Sequence, residues 1–162
     1  MDMKKENSQS SGSVAKCLDE IFEAWRSCDS AYLQLVRQWG ISLNTVWALE
    51  YLVKHPEGVE PAVLADDTHM LRQTITVVLN DLEERGYLFR DSHKTDRRRK
   101  VIRLTPEGQV FAQTVLSAIS NAEQEAASVL SFEELQHLLD YSQRFSQEFA
   151  RKVNDITMRK PE

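Results

Sequence analysis

Between Arg90 and Arg103 the chain places seven basic side chains in fourteen positions: Arg90, Lys94, Arg97, Arg98, Arg99, Lys100 and Arg103. Guanidinium and ammonium groups at this density neutralise phosphates, and each phosphate neutralised on a duplex releases condensed counterions that favour binding. The formal charge of the whole chain is −5, so this run is a local positive patch on an acidic protein. That balance disfavours indiscriminate polyanion binding but not specific binding, because steering depends on where charge sits. A charge run is by default a solvated surface, so its meaning depends on the elements that hold it.

A second set of side chains lies just upstream. Gln73, Val77 and Asn80, flanked by Arg72, Thr74 and Thr76, fall opposite an apolar set of Leu71, Ile75, Val78, Leu79 and Leu82 when residues 70–85 are wound as a helix. In a major groove Gln73 pairs with adenine, Arg72 with guanine or a phosphate, and Val77 meets a thymine methyl. Glu83 and Glu84 fall on the distal turns, where acids stay clear of phosphates. The bland alternative is an ordinary wet helix face.

The aromatics Trp25, Trp39, Trp47 and Tyr51 are spaced as a helical core would space them, and core packing is their default reading. Cys17 and Cys28 would stand about 16 Å apart along one helix at roughly 1.5 Å per residue, so they cannot pair with each other. Packing is again the default, with thiol sensing the alternative. His55, His69, His93 and His137 have no metal-ligand spacing. No Gly-rich phosphate loop or nucleophile–base pair stands out, so neither a cofactor nor an enzyme is expected.

These groups are positioned by a mainly helical frame. Residues 1–12 are polar, Ser-rich and aperiodic, and read as a flexible tail. A long helix follows from about Val14 to Gln38, with the stripe Val14, Leu18, Ile21, Trp25, Cys28, Tyr32, Leu35 and Trp39, closed by Gly40. Ser42 caps a second helix to about His55, apolar nearly all round (Leu43, Val46, Trp47, Ala48, Leu49, Tyr51, Leu52, Val53) and hence expected between two layers. Pro61 opens a short third helix to Asp67, and Gly86 ends the fourth, residues 70–85.

Tyr87-Leu88-Phe89 and Val101, Ile102 and Leu104 then read as two short strands that present the basic run at a hairpin tip. Thr105-Pro106-Glu107 opens a helix to about Leu130. Ser131-Phe132-Glu133-Glu134 is a capping box for a last helix that carries Leu135, Leu138, Leu139, Phe145, Phe149 and Val153 on one face. Short helix, tight turn, helix and charged hairpin is the order of a winged helix-turn-helix. The expected fold class is mainly α with a small β-wing: a winged helix-turn-helix at 41–105, flanked by helices at 13–40 and 106–162. No run reaches the roughly 18 apolar residues that span a bilayer, and the N-terminus lacks a secretory apolar region, so cytoplasmic residence is expected.

The run Leu82-Glu83-Glu84-Arg85-Gly86-Tyr87-Leu88, followed by Asp96-Arg97-Arg98-Arg99 and Val101-Ile102-Arg103-Leu104-Thr105-Pro106-Glu107-Gly108, resembles the MarR family of bacterial transcription regulators. The resemblance extends over about residues 14–155. It implies a homodimer whose first and last helices form the interface, a ligand-responsive regulator, most often a repressor, and a pseudo-palindromic operator. It also implies that Arg97 or its neighbour reaches the minor groove or its phosphates. Arg98 is either a DNA contact or the partner of Asp96, which shapes the tip, while Lys94, Arg99 and Lys100 are phosphate candidates. Small aromatic or phenolic effectors between the lobes are a further implication, for which Trp25, Trp39, Trp47 and Tyr51 are the candidates. The chain departs from the family at the turn before the fourth helix, with His69 for the usual Gly and Leu71 at the usual capping position. With Leu71 expected in the core, the cap is expected at Thr68, itself then a DNA-backbone candidate. Two other readings stand beside the repressor: redox sensing through Cys17 and Cys28, and a winged-helix module that grips an acidic protein partner.

Overall fold

The computed structural model describes the backbone of residues 3–92 and 100–158. In chain order the elements are α1 (Met3–Arg37), α2 (Leu43–Lys54), α3 (Pro61–Asp67), α4 (Arg72–Glu84), β1 (Leu88–Ser92), β2 (Lys100–Leu104), α5 (Pro106–Ala127) and α6 (Phe132–Met158). Two compact units result, residues 1–119 and 120–162. Among the described residues no helix is long and apolar enough to cross a membrane. α1 begins at Met3 rather than near Val14, so the tail expected at 1–12 is largely drawn into the helix. Hydrophobic periodicity marks only the part of a helix that packs, and no proline interrupts the polar turns ahead of Val14.

In the first unit local chemistry sets the boundaries. Ser42 Oγ accepts from the Thr45 amide at 3.2 Å and starts α2. Pro61 occupies the first turn of α3. α4 closes on Gly86, at φ 75, with Tyr87 N–H donating to Leu82 O and Gly86 N–H to Glu83 O, both at 2.9 Å. This paired return of two amides is the Schellman closure, and its left-handed residue favours glycine. Thr105 caps α5 by accepting from Gly108 N–H at 3.0 Å, while its hydroxyl donates to Gly86 O at 2.8 Å. A Cβ on Gly108 would lie 1.8 Å from Tyr87 O, so only glycine lets the first turn of α5 come this close to the chain leaving α4.

β1 and β2 pair antiparallel, from Leu88 opposite Leu104 to Ser92 opposite Lys100. Val59 adds a bridge to Ile102, with mutual amide bonds of 3.1 and 2.8 Å, so the loop after α2 lines the free edge of β2. The main core joins Leu49, Leu52, Leu64, Ile75, Leu79, Leu82, Leu88 and Ile102. A second cluster holds Val36, Val46, Val115 and Ile119. α2 contributes to both clusters, as its apolar circumference suggested, yet Trp47 and Val53 stay exposed. A helix shared between two clusters still has a third side, and these residues occupy it.

In the second unit Ser131 and Glu134 form the expected reciprocal box: Ser131 N–H donates to Glu134 Oε2 at 2.7 Å and Glu134 N–H to Ser131 Oγ at 3.2 Å. These bonds hold the Glu134 carboxyl below its ordinary range, the Ser131 amide being the larger cause. α6 has no buried residue. Its Leu138, Leu139, Phe145, Phe149, Val153 and Ile156 side chains are all exposed in the single chain.

Candidate nucleic-acid interface

α4 is held from three sides. Ile75, Val78, Leu79 and Leu82 are buried in the main core. At its C-terminal end, Arg85 donates to Trp39 O at 3.1 Å and Gly40 O at 2.8 Å while its Nε bonds Asp81 at 3.1 Å. That guanidinium ties the end of α4 to the turn that closes α1. From the wing, Arg90 donates to Asn80 Oδ1 at 2.5 Å and pairs with Glu83 at 3.1 Å. The helix is thus anchored along its length, with Arg72, Gln73, Thr76, Val77 and Asn80 facing solvent and Thr74 half-buried.

At its N-terminal end the structure corrects two expectations. Leu71 is not in the core: it is the N-cap of α4, with φ −62 and ψ 140, and is 76% exposed. The helical wheel extrapolates a face only where the backbone is helical, and at Leu71 it is extended. Nor does Thr68 cap α4. It terminates α3, where its hydroxyl donates to Leu64 O at 2.5 Å. α4 thus starts without any side-chain cap, an omission worth roughly 1 kcal/mol. Between them, His69 takes a left-handed φ of 54, and Met70 packs against the core.

The exposed face is not electrostatically uniform. Arg72 lies 3.8 Å from Asp66, an exposed pair that contributes little to stability and leaves Arg72 available to a stronger anion. Thr76 donates to Arg72 O at 2.9 Å, so its oxygen faces a partner mainly as an acceptor.

The basic run divides by role. Arg90 braces α4, and Arg103 pairs with Asp91 at 3.0 Å and donates to Glu57 O at 3.0 Å. Both are consumed in fixing the base of the wing. Lys100 is exposed at the start of β2. The candidates Lys94, Arg97, Arg98 and Arg99, with Asp96, lie outside the described residues. Sequence reasoning missed the bracing roles of Asn80, Glu83 and Arg90; the acids of a helix end adjoining a basic strand were the available signal.

The aromatic candidates for an effector site do not form one group. Trp25 is 45% exposed and edge-on to Phe22 at 5.3 Å, whereas Trp39 packs in the second cluster and Trp47 is exposed. Tyr51 lines a cleft of about 300 Å³ with His55, Glu57, Val59, Glu60 and Val63, among others, but with none of the three tryptophans. Its phenol donates to Asp67 and stacks on His55 with centroids 4.3 Å apart. The bond to Asp67, ahead of burial and of the charges of Asp67 and Glu57, raises the Tyr51 pKa and keeps the phenol protonated.

Comparison with known proteins agrees with this geometry. Residues 39–99 match the model of the MarR family. A protein of Thauera aromatica named as a transcriptional regulatory protein for the hcr operon is 30% identical over 92 residues, 57% of this chain and 55% of that one. The chain thus spans little more than half of that relative's length. Among solved structures, a MarR family transcription regulator superposes with a TM-score of 0.79 at 18% identity, over 91% of this chain and 97% of its own. The Staphylococcus aureus MepR–DNA complex gives 0.70 at 22% identity, over 80% and 94%. At such identities the likeness is one of fold, that of the winged-helix regulators.

Proposed function

We infer from this MarR-family winged helix, residues 39–99, that the protein is a transcriptional regulator that reads double-stranded DNA in the cytoplasm. The observation that carries the reading is α4 itself. One face is sealed into the core, and the other offers Arg72, Gln73, Thr76 and Val77 beside the wing. The N-terminal half of such a helix enters a major groove, where Gln73 reads a base edge and Arg72 a guanine or phosphate. Lys94, Arg97, Arg98 and Arg99 would supply phosphate and minor-groove contacts from the wing tip, with Thr68 and Thr74 at the margins of the helix.

The same reading makes the active species a homodimer, with residues 41–105 as the DNA lobe and 13–40 and 106–162 as the dimerisation region. An amphipathic helix that buries nothing in its own chain, as α6 does, needs a partner for its stripe. A second copy is the partner that also matches a pseudo-palindromic operator. Repression would be relieved when a small aromatic or phenolic effector changes the spacing of the two α4 helices, which must match grooves about 34 Å apart. A redox variant keeps the same fold: Cys17 and Cys28 are both exposed, and unchanged operator release by oxidants after both become Ser would remove it.

The test is binding of the purified protein to the DNA upstream of its own gene, against random duplex, with salt varied. Selective binding by a dimer, falling steeply with salt, is the expected result. No selectivity at any salt, together with capture of an acidic protein that survives change of Gln73 and Thr76, would favour the protein-binding alternative.

A further inference from the structure

In the first unit, among large apolar side chains from residue 12 onward, the two most exposed are Leu71 at 76% and Val77 at 69%. Both belong to the stretch that starts the proposed reading helix. The dimerisation helices do not account for them, and the core does not use them. Leu71 is the stranger of the two. It sits at an N-cap, where Ser, Thr, Asp or Asn would satisfy a free amide, and it neither caps the helix nor packs against the core. The residue before it, Met70, does turn inward, so an apolar side chain was not needed at 71 to close the turn. For the fold alone, a leucine here is a poor choice.

For a major groove it is an apt one. Base edges there carry donors and acceptors that Arg72 and Gln73 can read, and one apolar feature, the 5-methyl group of thymine. We propose that Leu71 is a specificity-determining residue of this surface, its side chain packed against a thymine 5-methyl group in each half-site. The inference rests on the DNA-binding reading above and deepens it. The contact is to the methyl carbon alone, so 5-methylcytosine presents the same partner at the same place on a different base. A cytosine at that position, once methylated, regains the contact that unmethylated cytosine lacks.

The experiment uses the full chain and duplexes that the wild type enriches from a randomised pool. Each thymine is replaced in turn by uracil, which removes only the methyl group, and separately by cytosine and 5-methylcytosine paired to guanine. For the wild type, uracil at one position per half-site weakens binding by about fourfold, the ratio that burial of one methyl group supports. At that position 5-methylcytosine binds better than cytosine by a similar ratio. In Leu71→Ser both ratios fall to one, while its melting temperature is equal to or above that of the wild type because serine supplies the missing cap. Leu71→Ala, which adds no cap, loses the ratios as well.

Three results overturn the proposal. Ratios that persist unchanged in Leu71→Ser would place the methyl contact elsewhere, with Val77 the next residue to test. A wild type insensitive to uracil at every position would mean that Leu71 meets no methyl group. Either of these leaves the DNA-binding reading intact. A wild type that enriches no sequence removes that reading and this inference together.

Discussion

Helices α4 and α6 are both amphipathic, and they dispose of their apolar faces in opposite ways. α4 seals Ile75, Val78, Leu79 and Leu82 into the core of its own unit. α6 buries nothing, and leaves a stripe from Leu138 to Ile156 open. An apolar face already satisfied makes any remaining exposed apolar residue informative, which is why Leu71 and Val77 stand out. The exposed stripe of α6 is instead what the proposed homodimer would draw on. In the function proposed above, α4 meets DNA from solvent and α6 meets a second copy of the chain.

The largest expected effect breaks the α6 side of this contrast. Phe145→Asp with Phe149→Asp puts charge into the stripe twice per chain. Burial of each phenylalanine in the proposed homodimer would contribute roughly 1.5–3 kcal/mol, so sedimentation should show a lower mass than for the wild type, and selective DNA binding should collapse. An unchanged mass would mean that α6 is not the interface. On the α4 side, Gly108→Ala should destabilise the fold by about 1–3 kcal/mol in denaturant melts, because its Cβ would press on the Tyr87 carbonyl. A loss of dimer without loss of fold in that variant would contradict the packing described here.

Smaller effects sharpen the division of labour within the DNA lobe. Gln73→Ala should lower selectivity at particular bases by roughly 1–3 kcal/mol with little change in non-specific binding. Arg97→Ala should weaken binding on all sequences and reduce the salt slope by about one unit. Equal losses on every sequence from both variants would erase the distinction between reading helix and wing. The smallest effect lies at the start of α6. The folded pKa of Glu134 is lowered, so its contribution to stability is present above the unfolded value near 4.5 and fades as pH falls through the folded one. Glu134→Gln should therefore lower the melting temperature slightly at neutral pH and hardly at all in acid, as a melt series across pH would register.

Much of the architecture was legible because its boundaries are set by local chemistry. Ser42, Pro61, Gly86, Thr105 and Ser131 each mark a start or stop through a hydrogen bond or a dihedral that the residue type itself dictates. What failed was extrapolation past those boundaries. A helical wheel puts Leu71 in the core, but it does not apply at an extended residue, and a cap at Thr68 fails with it because Thr68 closes α3. The early start of α1 escaped because its first turns carry no packing pattern. Val59 pairs with Ile102 as a single bridge, too short to leave a periodic signature. Arg90 and Arg103 look in sequence like the rest of the basic run, and only tertiary neighbours, Glu83 and Asn80 for one and Asp91 for the other, mark these two as bracing cations.

In the proposed function, two copies of α4 read a symmetric DNA site. Enrichment of a randomised duplex pool by the wild-type protein tests it most directly. The expected product is an inverted repeat whose half-site centres lie about one helical turn, or a multiple of it, apart. Enrichment of no sequence, or of a single asymmetric half-site bound by a monomer, would contradict it.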